Sequence, residues 1–288
     1  MRISTRMIQQ GALRSLRRGT EAMARAQEEA VTGRRVRTVS DDPVDAGQIM
    51  RLDSQLRDIA RYRRNGTWAT TRMSVEDTVV TNLRELLRQA RDLATGAASL
   101  PAGDPVRESA RLQVRNLYEE VVALGNTKVG SEYLFAGGRS TSPAFLADGT
   151  YAGDSVARTT EIDAGMVLET ADTGDRVFGD ALAALATLGS QLETGDATGI
   201  QAAAGALADA STAVLTLQTA LGGRLGTVET VARALAGTGA RLADQRDSLR
   251  SVDSTEAAMR LTTAQTSLQQ AYAVVSRVLS VNLLDYFG

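Results

Sequence analysis

Residues 207–249 read LADASTAVLTLQTALGGRLGTVETVARALAGTGARLADQRDSL, and within them Leu207, Val214, Leu221, Val228, Leu235, Leu242 and Leu249 recur every seven residues without a miss. A seven-residue apolar repeat lays one stripe along one face of an α-helix and favours a left-handed supercoil with its neighbours. At about 1.5 Å per residue the stripe is roughly 60 Å long. The companion positions Ser211, Gln218, Leu225, Ala232, Gly239 and Arg246 are mixed. A rod of this kind cannot bury its stripe alone, so it must pack on other helices of the chain. The seven positions are therefore the expected core of a helical rod.

Toward the C-terminus the register breaks, because continuing it would put Glu256 and Thr263 on the seam. Ser251-Val252-Asp253-Ser254-Thr255-Glu256 intervenes, with Asp253 as an N-cap and Glu256 three residues on, the pattern of a capping box. A new seam follows at Ala257, Leu261, Ala264, Leu268, Ala271, Val275, Val278 and Asn282, spaced 4-3-4-3-4-3-4, with Tyr272, Leu279 and Tyr286 as a second edge. From Ala257 onward only Arg260, Arg277 and Asp285 are charged, too few for a solvated helix. The N-terminal arm carries a weaker seam at Ala12, Leu16, Gly19, Met23, Ala26 and Ala30, whose small residues permit close backbone approach. Two readings follow: the ends pair with each other or with neighbouring copies, or residues 257–282 are the last core helix of a bundle. The matched breaks and the scarcity of charge favour assembly.

Between the ends, Gly33 in Thr32-Gly33-Arg34-Arg35-Val36 is placed to stop a helix, and Ser40-Asp41-Asp42-Pro43 restarts one. Asp42 fits the N-cap, Pro43 the first helical position, and Asp45 the electropositive first turn. That helix is expected to run to about Ala98. Leu100-Pro101-Ala102-Gly103-Asp104-Pro105 marks a turn and a second Asp-Pro start, for a helix to about Asn126. Residues 130–178 instead carry short β-forming pieces, Tyr133-Leu134-Phe135, Arg158 to Ile162 and Met166 to Thr170, with turns at Asp148-Gly149 and Ala164-Gly165. The expected fold is mainly α: a discontinuous, long antiparallel helical bundle or coiled coil with a small β-rich insertion, the terminal helices pairing as an assembly domain. Its parts are a terminal coiled coil (1–40 and 252–288), a helical rod (41–130 and 177–251) and a β-rich outer insertion (131–176).

Composition agrees with long, narrow packing. The 288 residues are 43% hydrophobic and 23% charged but only 4% aromatic, and no proline follows Pro143. There is no Cys and no His. That excludes disulfides, thiolate metal sites, histidine ligands and any catalysis that needs a cysteine nucleophile or a histidine base. The net charge of −2 is unevenly spread: residues 1–40 hold nine Arg against three Glu, and residues 131–180 hold nine acids against three Arg. The acidic insertion should therefore face solvent. A basic arm also suits nucleic acid or acidic lipid, the more distant alternative to a solvated helix face. Met1 to Arg18 lacks the continuous apolar stretch of a cleavable secretory signal, and no unbroken apolar run reaches the length of about 18 residues that reads as a membrane span.

No motif carries chemistry. Gly237-Thr238-Gly239 lacks the third glycine of a dinucleotide loop, where Leu242 stands, and it lies inside the helical stripe. Glu28-Glu29 and Glu119-Glu120 are neighbours on helix surfaces and do not converge. Asp172-Thr173-Gly174-Asp175 is too short for a calcium loop and reads as a turn. No catalytic residue, cofactor site or metal site is expected.

The start Met1-Arg2-Ile3-Ser4-Thr5, followed by Thr32-Gly33-Arg34-Arg35-Val36 and Ser40-Asp41-Asp42-Pro43, resembles the flagellin superfamily, and within it most nearly the members that join hook to filament. Tyr133-Leu134-Phe135-Ala136-Gly137-Gly138 with Pro143-Ala144-Phe145, and the close from Leu268-Gln269-Gln270-Ala271-Tyr272 to Asn282-Leu283-Leu284-Asp285-Tyr286-Phe287, are similar to the same family. The resemblance implies terminal helices that order on assembly into an inner tube, a surrounding rod and an outward β-rich domain. It implies export through the flagellar type III channel and an extracellular place at the hook–filament junction. The partners it implies are other copies, the neighbouring hook-side junction protein, filament flagellin and an export chaperone on the C-terminal region, with neither nucleic acid nor membrane. A filament flagellin is the alternative within the same architecture.

Overall fold

The computed structural model describes residues 2–101 and 104–287, the side chains of 2–6, 8, 9 and 278–287 excepted. Among the described residues six helices and four short strands follow in the order α1 (Arg2–Thr32), α2 (Pro43–Ala97), α3 (Pro105–Gly125), β1 (Lys128–Val129), β2 (Glu132–Tyr133), β3 (Arg158–Asp163), β4 (Met166–Ala171), α4 (Gly174–Thr194), α5 (Ala197–Arg250) and α6 (Ser254–Phe287). The fold is mainly α with a small β insertion. The chain forms two compact units, residues 58–237 and the two ends 1–57 with 238–288, so the division falls inside α2 and α5.

Local signals set most boundaries. Gly33 takes the left-handed conformation, φ 66°, and its N–H donates to the Glu29 carbonyl at 2.8 Å, ending α1. Asp42 caps α2 by accepting from the N–H groups of Val44 and Asp45, both at 3.1 Å. Asp104 caps α3 through Val106 N–H at 2.8 Å, with Pro105 at the first helical position. Gly195, φ 80°, separates α4 from α5. Asp253 caps α6 through Thr255 and Glu256, but the capping box is half made: the Glu256 carboxylate reaches forward to Arg260 at 2.7 Å. An exposed i,i+4 ion pair there outcompetes the return bond.

In the central unit α2 and α5 run antiparallel, with Gly66 beside Val228 and Arg84 bonded to Gln218 at 3.0 Å. Val79, Leu83, Leu87 and Ala90 of α2 form one core with Val114, Leu117 and Val121 of α3, Val177, Phe178, Leu185 and Leu188 of α4, and Ile200, Leu207 and Val214 of α5. A second cluster joins Ala69, Met73, Leu221 and Val228 to Ile162 of β3. The β1–β2 and β3–β4 pairs are separate antiparallel hairpins, the second turning at Gly165, φ 72°.

The insertion is not a solvent-facing appendage. Leu134, Phe135, Ala136, Ala144 and Phe145 are buried, and Phe135 and Phe145 pack edge-on against Phe178 with ring centroids 5.0 and 5.6 Å away. Only Tyr133 of the Tyr133-Leu134-Phe135 piece is strand; the next two residues turn inward to fill the end of the helical core. Two of its acids are internal partners, while Asp148, Glu169, Asp175 and Asp180 remain exposed. Glu132 binds Arg158 at 2.8 and 3.1 Å and the fully buried Arg72 at 3.2 Å. Asp172 is buried against Arg176 and Arg224. Asp172-Thr173-Gly174-Asp175 is the strand-to-helix junction, with Thr173 as the N-cap of α4. In length and composition α5 could cross a membrane, having an 18-residue window of mean hydropathy 1.3, although no unbroken apolar run announces it. Its stripe is instead occupied by the protein core from Ile200 to Val228.

Candidate assembly interface

The terminal unit is built around α1 and α6, which run antiparallel: Gly19 meets Leu268, and Glu29 meets Arg260 at 3.3 Å. On α1, Ala26 is buried and Ala12, Leu16, Gly19 and Met23 are half-buried. On α6, Ala257 is buried and Leu261, Ala264, Leu268, Ala271 and Val275 are half-buried. The absence of a side chain at Gly19 has a use here. A Cβ on it would stand 3.2 Å from Leu268 Cδ1, so the leucine seats against bare helix backbone. Ala30, the last position of the α1 pattern, is exposed; Glu29 turns inward in its place to meet Arg260. The side chains of Val278, Leu279 and Asn282 lie outside the described residues.

One helix can cover only one stripe of its partner, and both helices carry more apolar surface than that. Tyr272 is 52% exposed and Val274 60%, with Met259 at 61% on α6 and Leu13 at 56% on α1. Tyr272, the second-edge residue, thus flanks the seam with half of its surface uncovered. A groove of about 740 Å³ follows the pair, lined among others by Gly19, Ala22, Ala26, Met259 and Ala264. Such surface stays costly until another apolar surface covers it.

The base of the pair is a knot that joins the two sequence breaks. Arg35 N–H donates to the Arg250 carbonyl at 2.7 Å, Val252 N–H to the Gly33 carbonyl at 3.0 Å, and Arg34 bridges Ser251. Arg35 reaches Asp42 at 3.1 Å and also Asp45, while Arg37 pairs with Glu28. Asp53 receives Arg250 at 2.6 Å and Arg246 at 3.5 Å. Asp41 accepts from the N–H groups of Thr38 and Arg37 at 2.8 and 3.1 Å, which hold its carboxyl below the usual aspartate range. Val36, Ala46 and Ile49 close a small apolar cluster with Leu249 beneath. The sequence motifs around Gly33 and Pro43 thus carry architecture. Their pairing with residues 246–253 is not visible as any local pattern.

The stripe positions Leu207, Val214, Leu221, Val228 and Leu235 are buried, whereas Leu242 and Leu249 are half-buried. Helices α2, α3 and α4 surround the first part of the stripe, and among the described residues the narrow Val36–Ile49 cluster meets its end. Among the described residues no group of three or more acids could hold a metal ion.

Residues 3–140 match the bacterial flagellin N-terminal helical region, and residues 204–287 match the bacterial flagellin C-terminal helical region. The flagellar hook-associated protein 3 of Escherichia coli (strain K12) is 28% identical over 180 residues, 62% of this chain and 57% of that protein. The chain thus aligns with a little over half the length of that curated relative. Among solved structures, a putative flagellar hook-associated protein from Vibrio parahaemolyticus superposes with a TM-score of 0.67 at 19% identity, over 73% of this chain and 100% of that one. The flagellar junction protein from Legionella pneumophila gives a TM-score of 0.58 at 15% identity, over 70% and 99%. Both share the fold.

Proposed function

The chain belongs to the bacterial flagellin family, and from that premise we infer that it is a structural subunit of the flagellum, joining hook to filament by self-assembly. The observation that carries this reading is the α1–α6 pair, which buries one stripe and leaves further apolar side chains on other faces of α6, Tyr272, Val274 and Met259, uncovered. Further copies of the same pair supply the missing surface, so the seams at 257–282 and 12–26 serve a tube of subunits. The names of the similar proteins, hook-associated protein 3 and junction protein, support placement between hook and filament rather than along the filament.

In this reading residues 1–40 and 252–288 form the inner assembly domain. Residues 41–130 and 177–251 form the rod, and 131–176 the outer insertion. The subunit works outside the cell after type III export, with a chaperone holding its C-terminal region beforehand. Its neighbours are the hook-side junction protein and filament flagellin. It has no catalytic role. Electron microscopy of a strain lacking this protein should show hooks without filaments. Labelled protein added back should appear at the tip of the hook. Normal filaments on the deletion strain, or label distributed along the filament, would overturn the assignment.

A further inference from the structure

The α1–α6 pair has two unlike flanks. Successive helix residues turn by about 100°, so side chains next to a seam fall to one side of it or the other. On one flank Ala22 of α1 and Met259, Thr263 and Ser267 of α6 line the groove of about 740 Å³. By the same period Leu13 of α1 and Tyr272 of α6 fall on the opposite flank, 56% and 52% exposed, and neither lines the groove. The helices are antiparallel and Gly19 meets Leu268, which sets Leu13 and Tyr272 at nearly the same height. Each subunit thus carries a protruding apolar pair on one side and a concave strip on the other.

The groove's chemistry selects its occupant. Its charges are Arg25, Glu29, Glu256 and Arg260, with Arg260 bound to Glu29 at 3.3 Å and to Glu256 at 2.7 Å. Two positive and two negative charges balance, so the groove offers nothing to an ionic partner. Its small side chains, with Gly19 and Ala264 among them, leave room for a large one. Met259, 61% exposed, supplies an apolar wall with a polarizable sulfur. Thr263 and Ser267 add hydroxyls. A phenol ring uses both features: an apolar bed for its body and a hydrogen-bond partner for its Oη once water is gone. Tyr272 is the one aromatic among the described side chains of α1 and α6.

We propose that Tyr272 of one subunit, with Leu13 at its height, seats in the α1–α6 groove of a second copy of this chain. The inference rests on the assembly reading above and assigns its contact. Donor and acceptor are different faces, so the contact is heterologous: it repeats from copy to copy and does not close as a two-fold dimer. Tyr272 stands about ten residues along α6 from the middle of the groove, or about 15 Å, so successive copies are staggered along the helix axes.

The chain has no cysteine, so a pair can be introduced without background. Ala22 and Tyr272 are both exposed, and Ala22→Cys and Tyr272→Cys leave the subunit's own seam intact. A short bismaleimide spans the space that the tyrosine ring fills. Full-length variants are added to bare hooks, treated with the reagent and separated on a denaturing gel. Chains carrying both cysteines should give a ladder of dimers, trimers and longer products. A mixture of the two single variants should stop at the dimer, and neither single variant alone should cross-link. Dimers from Tyr272→Cys alone would show a two-fold contact and overturn the proposal. So would addition of the double variant to hooks with no linked product. If loss of the tyrosine blocks addition, Leu13→Cys takes its place on the same flank, with the same two outcomes. Wild-type chain run in parallel separates the two levels: its failure to add to bare hooks would sink the assembly reading itself, and this contact with it.

Discussion

Gly137 takes the left-handed conformation in the insertion, at φ 62°, and a Cβ on it would lie 2.5 Å from the Asp154 carbonyl oxygen. Asp154 in turn accepts from Gly138 N–H at 2.8 Å, and Tyr151 Oη donates to the Asp154 carbonyl at 2.7 Å. A side chain would meet both a backbone conformation that disfavours it and a wall of backbone atoms. Gly137→Ala should therefore cost about 2–4 kcal/mol, the sum expected for a left-handed alanine and an overpacked contact. Urea unfolding read by Trp68, the chain's one tryptophan, measures it. An unchanged midpoint would show that the turn relaxes freely. The reverse case is Gly226 of α5, where nothing stands within 4 Å of an added Cβ. Gly226→Ala should stabilise by up to about 1 kcal/mol through helix propensity alone, seen as a higher melting temperature of the monomer.

Along α5 one apolar stripe meets two environments. Leu221 is 1% exposed in the cluster with Met73 and Ile162, whereas Leu242 is half-buried. Leu221→Ala should cost about 2–5 kcal/mol, and Leu242→Ala less than about 2 kcal/mol because solvent already shares its surface. Equal losses in thermal melts would mean that Leu242 is covered as completely as Leu221. The heptad spacing shows which face is apolar and is silent about how many helices cover it. That number depends on α3 and α4, which end before the stripe does. The breaks were more legible: Gly33, Asp42-Pro43, Asp104-Pro105 and Asp253 each act within one helical turn, and each sits where its local chemistry places it.

At the scale of the whole molecule the terminal pair differs from the central unit. Among the described residues it fully buries only Ala26 and Ala257 along its seam, while α2 to α5 enclose a continuous core. Leu268 packs against Gly19 yet remains half-buried, so Leu268→Asp can send its charge to water in the free subunit. In the assembly that route closes and the buried charge is costly. The variant should keep the monomer's melting temperature and helix content but fail to add to bare hooks when supplied from outside. Leu221→Asp, the control, should unfold the monomer. Equal destabilisation by the two would make α6 a core helix and would remove the support for assembly through this seam.

The sequence by itself determined the helical class, the turn-rich insertion and the helix breaks at Gly33, Asp42-Pro43, Asp104-Pro105 and Asp253, but not the break at Gly195. These are properties of period and of caps, and they act between residues at most seven apart. It also excluded histidine and cysteine chemistry by composition. The tertiary structure alone decided which breaks meet and which charges pair. Arg35 finds the Arg250 carbonyl, and Arg250 finds Asp53 across 197 positions. The Asp172 N–H finds Glu76 across 96 positions, and Asp172, expected to face solvent with its segment, becomes an internal partner. An arginine and an aspartate carry the same local signal on a helix surface as in a buried pair. Only the register of α2 against α5 and the insertion brings their charges together, and that register is set by the packing of the whole chain.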